Sequence, residues 1–306
     1  MAFRLASLCL VLVSAILAQP AAALLRVVAS LPDVADMTRQ IGGDQVEVVT
    51  IAEGGQDPHK VPVKPSFVTK LNRADAVVVQ GLGLEHTYLP ALLEVARNDA
   101  IMPGNRAYID ASLYVDPLEV PSSQNRTQGE LHPLGNPHFN LDPVRGKQMA
   151  RAIAEGLERV DPDHAATYRD GLSRYLALLD RKIAEWEKLA APLRGVKAVS
   201  YHQDLIYLAD RYGIELIGTI EDKPGIPTTP GHLQDLIARM GETNTKLVIR
   251  EVAYDQALAD TIAERTGGRV AVVSSLAGGL PGTQGYVDSI EANLKALVSA
   301  VAAMGG

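Results

Sequence analysis

Three histidines stand in short loops punctuated by turn residues: Gly55-Gln56-Asp57-Pro58-His59, Gly135-Asn136-Pro137-His138-Phe139-Asn140-Leu141-Asp142-Pro143, and Ser200-Tyr201-His202-Gln203-Asp204. They are spread over half the chain, and no cysteine comes near any of them. Imidazole is the side chain best suited to hold a borderline cation such as zinc without a thiolate. If the three loops converge, they make a metal site. Each context also has a plainer reading: His59 as a surface loop residue, His138 as incidental to a helix-capping segment, His202 as a satisfied, partly buried histidine. The other histidines carry weaker signals. His86, after Gly81-Leu82-Gly83-Leu84-Glu85, reads as a helix-start residue, and His164 and His232 sit at helix starts with no ligand spacing around them. His132 lies in a polar stretch over 115–135, where a weak metal-recruiting site is the most it suggests.

The elements that must position these loops follow from apolar patterning. Short β-branched runs predict strands at Leu25–Ala29, 46–52, 76–80 and 107–109, and again at 196–200, 216–220, 247–250 and 270–273. Helical patterns lie between them, for example 65–71, Leu89–Ala96 and 233–240. Strand–helix alternation with buried apolar strands argues for parallel α/β sheets. His59 and His202 then fall at strand-to-helix junctions, where open α/β sheets gather ligands. His138 is held four residues before a helix that Asp142 caps and Pro143 begins. Between the two strand groups, 164–191 carries Tyr168, Leu172, Tyr175, Leu176, Leu179, Ile183, Trp186 and Leu189 at mostly three- and four-residue spacing. A helix of about 28 residues would run about 42 Å, enough to carry the chain along a two-lobed molecule, although a long surface helix of one domain would look alike.

Residues 1–23 read as a cleavable secretory signal: Arg4, a short apolar run, then Ala21-Ala22-Ala23. The run is far short of the roughly 20 residues that span a bilayer. Cys9, the chain's one cysteine, lies within it, in a poor context for lipid attachment. Removal would leave about 280 residues, comfortable for two domains, with no thiol to oxidise in an exported protein. The loss of Arg4 makes the chain one unit more negative than its formal −7. With no basic run and no basic–aromatic interleaving, nucleic acid is not an expected partner.

Several further motifs, taken in order, resemble a known family. Asp57-Pro58-His59 precedes Pro65-Ser66. Ala74-Asp75 and an apolar strand lead to Gly81-Leu82-Gly83-Leu84-Glu85. Asn136-Pro137-His138 precedes Leu141-Asp142-Pro143. Tyr201-His202 precedes Tyr207 and Tyr212-Gly213, and Asn293-Leu294 falls near the end. From about Leu25 onward the chain resembles the periplasmic zinc- and manganese-binding proteins of ABC importers, the ZnuA/TroA-like cluster A-I solute-binding family. The resemblance implies two α/β lobes (24–160 and 195–306) joined by one long helix (161–194). It places metal in the interlobe cleft on His59, His138 and His202, with zinc favoured over manganese by a histidine at the third position. It also implies a monomeric, non-enzymatic binding protein that works in the periplasm and serves a membrane permease. The chain departs from the family pattern where relatives often place an aspartate ligand: Val272-Val273-Ser274-Ser275-Leu276 has no carboxylate. It also lacks a His-rich acidic loop over 115–135. Glu251, at the end of the strand 247–250, is the best carboxylate candidate for the fourth position. A water oriented by Glu251, Ser274 or Ser275 is the other, and an ordinary structural role for Glu251 stands beside both. Two further functions share the same residues: a zinc-dependent hydrolase with three histidines and a water, and a metal-dependent adhesin or metallochaperone.

Overall fold

A computed structural model describes residues 23–121 and 132–305. Apart from Ala23, the expected signal segment lies outside the described residues, as does the middle of the polar loop. No helix among the described residues is long and apolar enough to cross a membrane.

Eight parallel strands form two four-stranded sheets. In the first, β1 (Leu25–Ala29), β2 (Val46–Thr50), β3 (Ala76–Val79) and β4 (Tyr108–Asp110) run in the order β2-β1-β3-β4. In the second, β5 (Lys197–Ser200), β6 (Glu215–Thr219), β7 (Leu247–Glu251) and β8 (Arg269–Val273) repeat that order as β6-β5-β7-β8. Of the central strands, β3 and β7 are buried along their whole length and β1 and β5 everywhere but at their starts, which is why their middles read as apolar runs rather than alternating ones. In both sheets the connections diverge from the first central strand, so a crevice opens beyond the strands' carboxyl ends.

Among the described residues, nine α-helices cover the sheets. Those of the first lobe are α1 (Pro32–Gly42), α2 (Pro65–Asn72), α3 (Leu89–Ala96) and α4 (Pro143–Val160). The long α5 (Ala165–Leu189) follows, and α6 (Ile206–Tyr212), α7 (Pro230–Glu242), α8 (Gln256–Thr266) and α9 (Tyr286–Met304) belong to the second half. The long helix is shorter than 164–191 because single 3-10 turns, Pro162–His164 and Ala191–Leu193, flank it. It buries Tyr168, Tyr175, Leu179 and Trp186 against α1, α4 and α9. Gly171 makes the closest approach: a Cβ there would stand 2.0 Å from the carbonyl oxygen of Ile41.

The lobes share a core. One apolar cluster runs from β1 and β3 through α5 and α9 to Leu205, Tyr207, Ile249 and Val273 of the second half, and a second, around Val199, Ile220, Leu236, Val248 and Ile262, lies within the second half alone. Polar contacts also cross between them. Wholly buried Asp142 caps α4 through the Val144 N–H and takes two hydrogen bonds from Arg211 of α6, at 2.8 and 3.1 Å. Asn140 donates to the Ser275 carbonyl at 2.8 Å, and the Ala277 N–H donates to Asp33 at 3.0 Å. Gly54 lies so close to the 277–279 turn that a Cβ would meet the Ala277 oxygen at 2.2 Å. These contacts fix the two sets of strand ends opposite each other.

Candidate metal centre

Each candidate side chain is pinned by its own loop. At the end of β2 the His59 N–H donates to Asp57 at 2.9 Å, and its carbonyl accepts from the Thr87 hydroxyl at 2.7 Å. The His138 N–H donates to Asn136 at 3.0 Å, and Asn136 in turn donates to the Gln203 carbonyl across the cleft at 2.7 Å. After β5, the His202 carbonyl accepts from Ser200 at 2.7 Å, and its ring stacks on Tyr254 with centroids 5.5 Å apart. Such bonding removes loop freedom before any ligand arrives, which lowers the entropic cost of binding.

The three rings converge. Centroids are 5.1 Å apart for His59–His138, 5.6 Å for His59–His202 and 5.8 Å for His138–His202. The Nε2 atoms of His59 and His138 face each other at 3.1 Å. Two nitrogens on a tetrahedral zinc at about 2.0–2.1 Å stand about 3.3 Å apart, so this pair is nearly at coordination spacing. A fourth histidine joins them. His132, expected in the polar loop, has its ring 5.0 Å from His59 and 6.3 Å from His138. One nitrogen from each of His59, His132 and His138 falls within 4.8 Å of the others, and neither ring nitrogen of His132 has a hydrogen-bond partner. A short turn returns the Gly135 N–H to the His132 carbonyl at 3.0 Å.

Burial and charge divide the histidines. Burial holds His59 down to about 2 and His132 down to about 4, each lowered further by neighbouring imidazoles. It holds His138 well below the usual histidine range. All three are neutral and ready to donate a lone pair. His202 differs. Burial lowers it too, but its 2.7 Å hydrogen bond with Glu221, and the charges of Asp204 and Asp57, more than offset that and leave it above its ordinary value. Glu221 accepts from Nδ1–H and so presents Nε2 as the donor atom. Glu221 escaped the sequence reading, although it follows β6 just as His202 follows β5.

Glu251 ends β7 wholly buried, and neither carboxylate oxygen has a hydrogen bond of ordinary geometry. Burial, and then the Asp204 charge beside it, push it well above the carboxylate range, which disfavours its charged form. Arg250 bonds to the carbonyls of Tyr254 and Glu251 rather than to this carboxyl. Both serine hydroxyls are engaged: Ser274 donates to the Leu276 carbonyl at 2.7 Å and Ser275 to Asp204. His164 and His232 serve structure, His164 on Asp161 at 2.8 Å and His232 on the Thr219 carbonyl at 2.8 Å. A cavity of about 340 Å³, lined by His132, Asn136, His138, His202 and Gln203 among others, opens beside the cluster.

Residues 27–300 match the family of zinc-uptake complex component A, periplasmic (ZnuA). The chain belongs to that family. Among relatives, the zinc-binding lipoprotein AdcA of Streptococcus pneumoniae is 25% identical over 298 residues, which cover 96% of this chain but 59% of AdcA. The chain therefore spans about three fifths of the length of that relative. The manganese ABC transporter substrate-binding lipoprotein scaA of Streptococcus gordonii is 28% identical over 255 residues, 79% of this chain and 76% of scaA. A crystal structure of ZnuA superposes with a TM-score of 0.76 at 26% identity, covering 91% of this chain and all 100% of that one. This likeness extends to the two-lobed α/β architecture.

Proposed function

We propose that this chain captures one divalent metal ion, zinc before manganese, in the periplasm and hands it to the membrane permease of an ABC importer. The observation that carries the reading is the convergence of His59, His138 and His202, with His132 beside them, next to a cavity that residues of both lobes line. An all-imidazole donor set suits zinc, whereas manganese favours oxygen donors. The two named relatives, one a zinc-binding and one a manganese lipoprotein, make metal choice the point to test. His132 is the better fourth donor, since one of its nitrogens lies within 4.8 Å of those of His59 and His138 and neither is hydrogen-bonded, while burial and Asp204 disfavour the charged form of Glu251. A carboxyl so disfavoured as an anion is a poor general base beside a metal-bound water, which weakens the hydrolase alternative.

A chelator-competition titration of the purified protein tests this directly. One zinc should bind per chain, far more tightly than manganese, and His59→Ala, His138→Ala and His202→Ala should each weaken it by orders of magnitude. If two of the three variants bind as the parent does, the metal centre lies elsewhere.

A further inference from the structure

One more histidine faces the cluster from outside. His86 sits in the 3-10 turn Leu84–Thr87 after β3, is exposed, and holds its Nδ1 2.9 Å from the Gly83 carbonyl oxygen, which leaves Nε2 as its open donor atom. Its ring lies edge-on to His132 with centroids 6.1 Å apart, and His132 lies 5.0 Å from His59. Exposure falls along this row, from exposed His86 through half-buried His132 to His59 at 2%. Two imidazoles on one zinc hold their centroids roughly 5 Å apart, given Zn–N bonds of about 2.0–2.1 Å and a near-tetrahedral angle. His86 and His132 stand about 1 Å beyond that spacing, and His132 is already at it from His59.

We propose that His86 and His132 form an outer landing site for a divalent cation, through which the ion passes to the inner histidines by stepwise ligand exchange. The proposal rests on the metal-binding reading above. Each step replaces one metal–water or metal–imidazole bond by another, so the ion is never stripped of all its ligands at once, and no electron is transferred. His132 belongs to both sites, and its unpartnered nitrogens leave it free to turn between them. His86 is too far out to belong to the bound state. It therefore acts on the rates of arrival and departure and not on the equilibrium, because a path that speeds capture must speed release by the same factor.

Stopped-flow mixing of the full protein with zinc, and of the zinc-loaded protein with excess chelator, separates these roles. His86→Ala should slow uptake and release alike, by about tenfold, the scale on which one metal-orienting neighbour acts, with the dissociation constant unchanged. His86→Cys, which restores a zinc donor at that position, should recover much of both rates. Unchanged rates in His86→Ala would mean that the ion enters directly through the cleft cavity, and the landing site would be wrong. Slower uptake with unchanged release would make His86 an equilibrium ligand and would overturn the proposal equally. A parent protein that takes up no zinc would remove the metal-binding reading itself, and the landing site with it.

Discussion

The four clustered imidazoles do not titrate as free histidines, and that changes how pH should act on them. Free imidazole protonates near pH 6.5, and three free ligands would make affinity fall by about three log units per pH unit below that. Here His59, at about 2, and His138, well below the usual range, stay neutral in the folded chain. His202 is raised, so below that raised value it carries a proton that zinc must displace. Zinc affinity should therefore fall with a slope near one log unit per pH unit from above about pH 6.5 downward, which proton release in calorimetry can count. A slope near three would contradict the burial of the inner pair. Stability of the metal-free protein should show the other side of this. Below about pH 6.5 the unfolded chain gains protons on His59, His132 and His138 that the folded one refuses, so stability falls as pH falls. His202 has the opposite sign: its contribution is full below about 6.5 and is lost as pH rises through its raised value. Glu221→Gln should remove that raised value and loosen the ring's orientation, weakening zinc by roughly 10- to 100-fold. Glu251→Gln removes a charge that burial and Asp204 already disfavour and should change affinity little. A large loss there would return Glu251 to the ligand set.

At the scale of elements, buried parallel strands and one long amphipathic helix are what the sequence states most clearly. Ala76–Val79 reads as a strand because every side chain in it is buried, and the spacing of Tyr168, Tyr175, Leu179 and Trp186 is the buried stripe of α5. Convergence of the histidine loops could be anticipated only as far as their common position beyond strand ends. What brings Asp142 to Arg211 is tertiary: the two are 69 residues apart, and nothing local in either segment announces the bond. Asp142 was legible as a helix cap because that role is local. His132 was not legible as a cluster member because a polar stretch carries no periodicity to fix its direction. Two substitutions probe these contacts. Gly171→Ala should destabilise by about 1–3 kcal/mol, since the added methyl meets the Ile41 carbonyl where α1 and α5 cross. Arg211→Met should cost about 2–3 kcal/mol by removing two hydrogen bonds from a buried carboxylate. Urea denaturation with an unchanged m-value would report either loss as one of stability alone.

For the whole molecule, binding between the lobes should appear as a shift of global melting. At a hundredfold excess over the dissociation constant, zinc adds about 2.7 kcal/mol, or roughly 5–10 °C for a chain of this size. Calorimetry with and without metal checks it, and an unchanged midpoint would mean that the ion sits on a surface that survives unfolding. The apolar cluster that continues through α5 from one lobe to the other has a mechanical consequence. Lobes that share a core cannot swing apart like a clamshell without tearing it, so loaded and empty forms should give nearly superimposable X-ray scattering curves. A membrane receptor cannot then sort one from the other by outline. It would have to sense how firmly a few rim side chains are held, and it would pull the ion out of a rigid socket by offering better ligands rather than by prising the halves open.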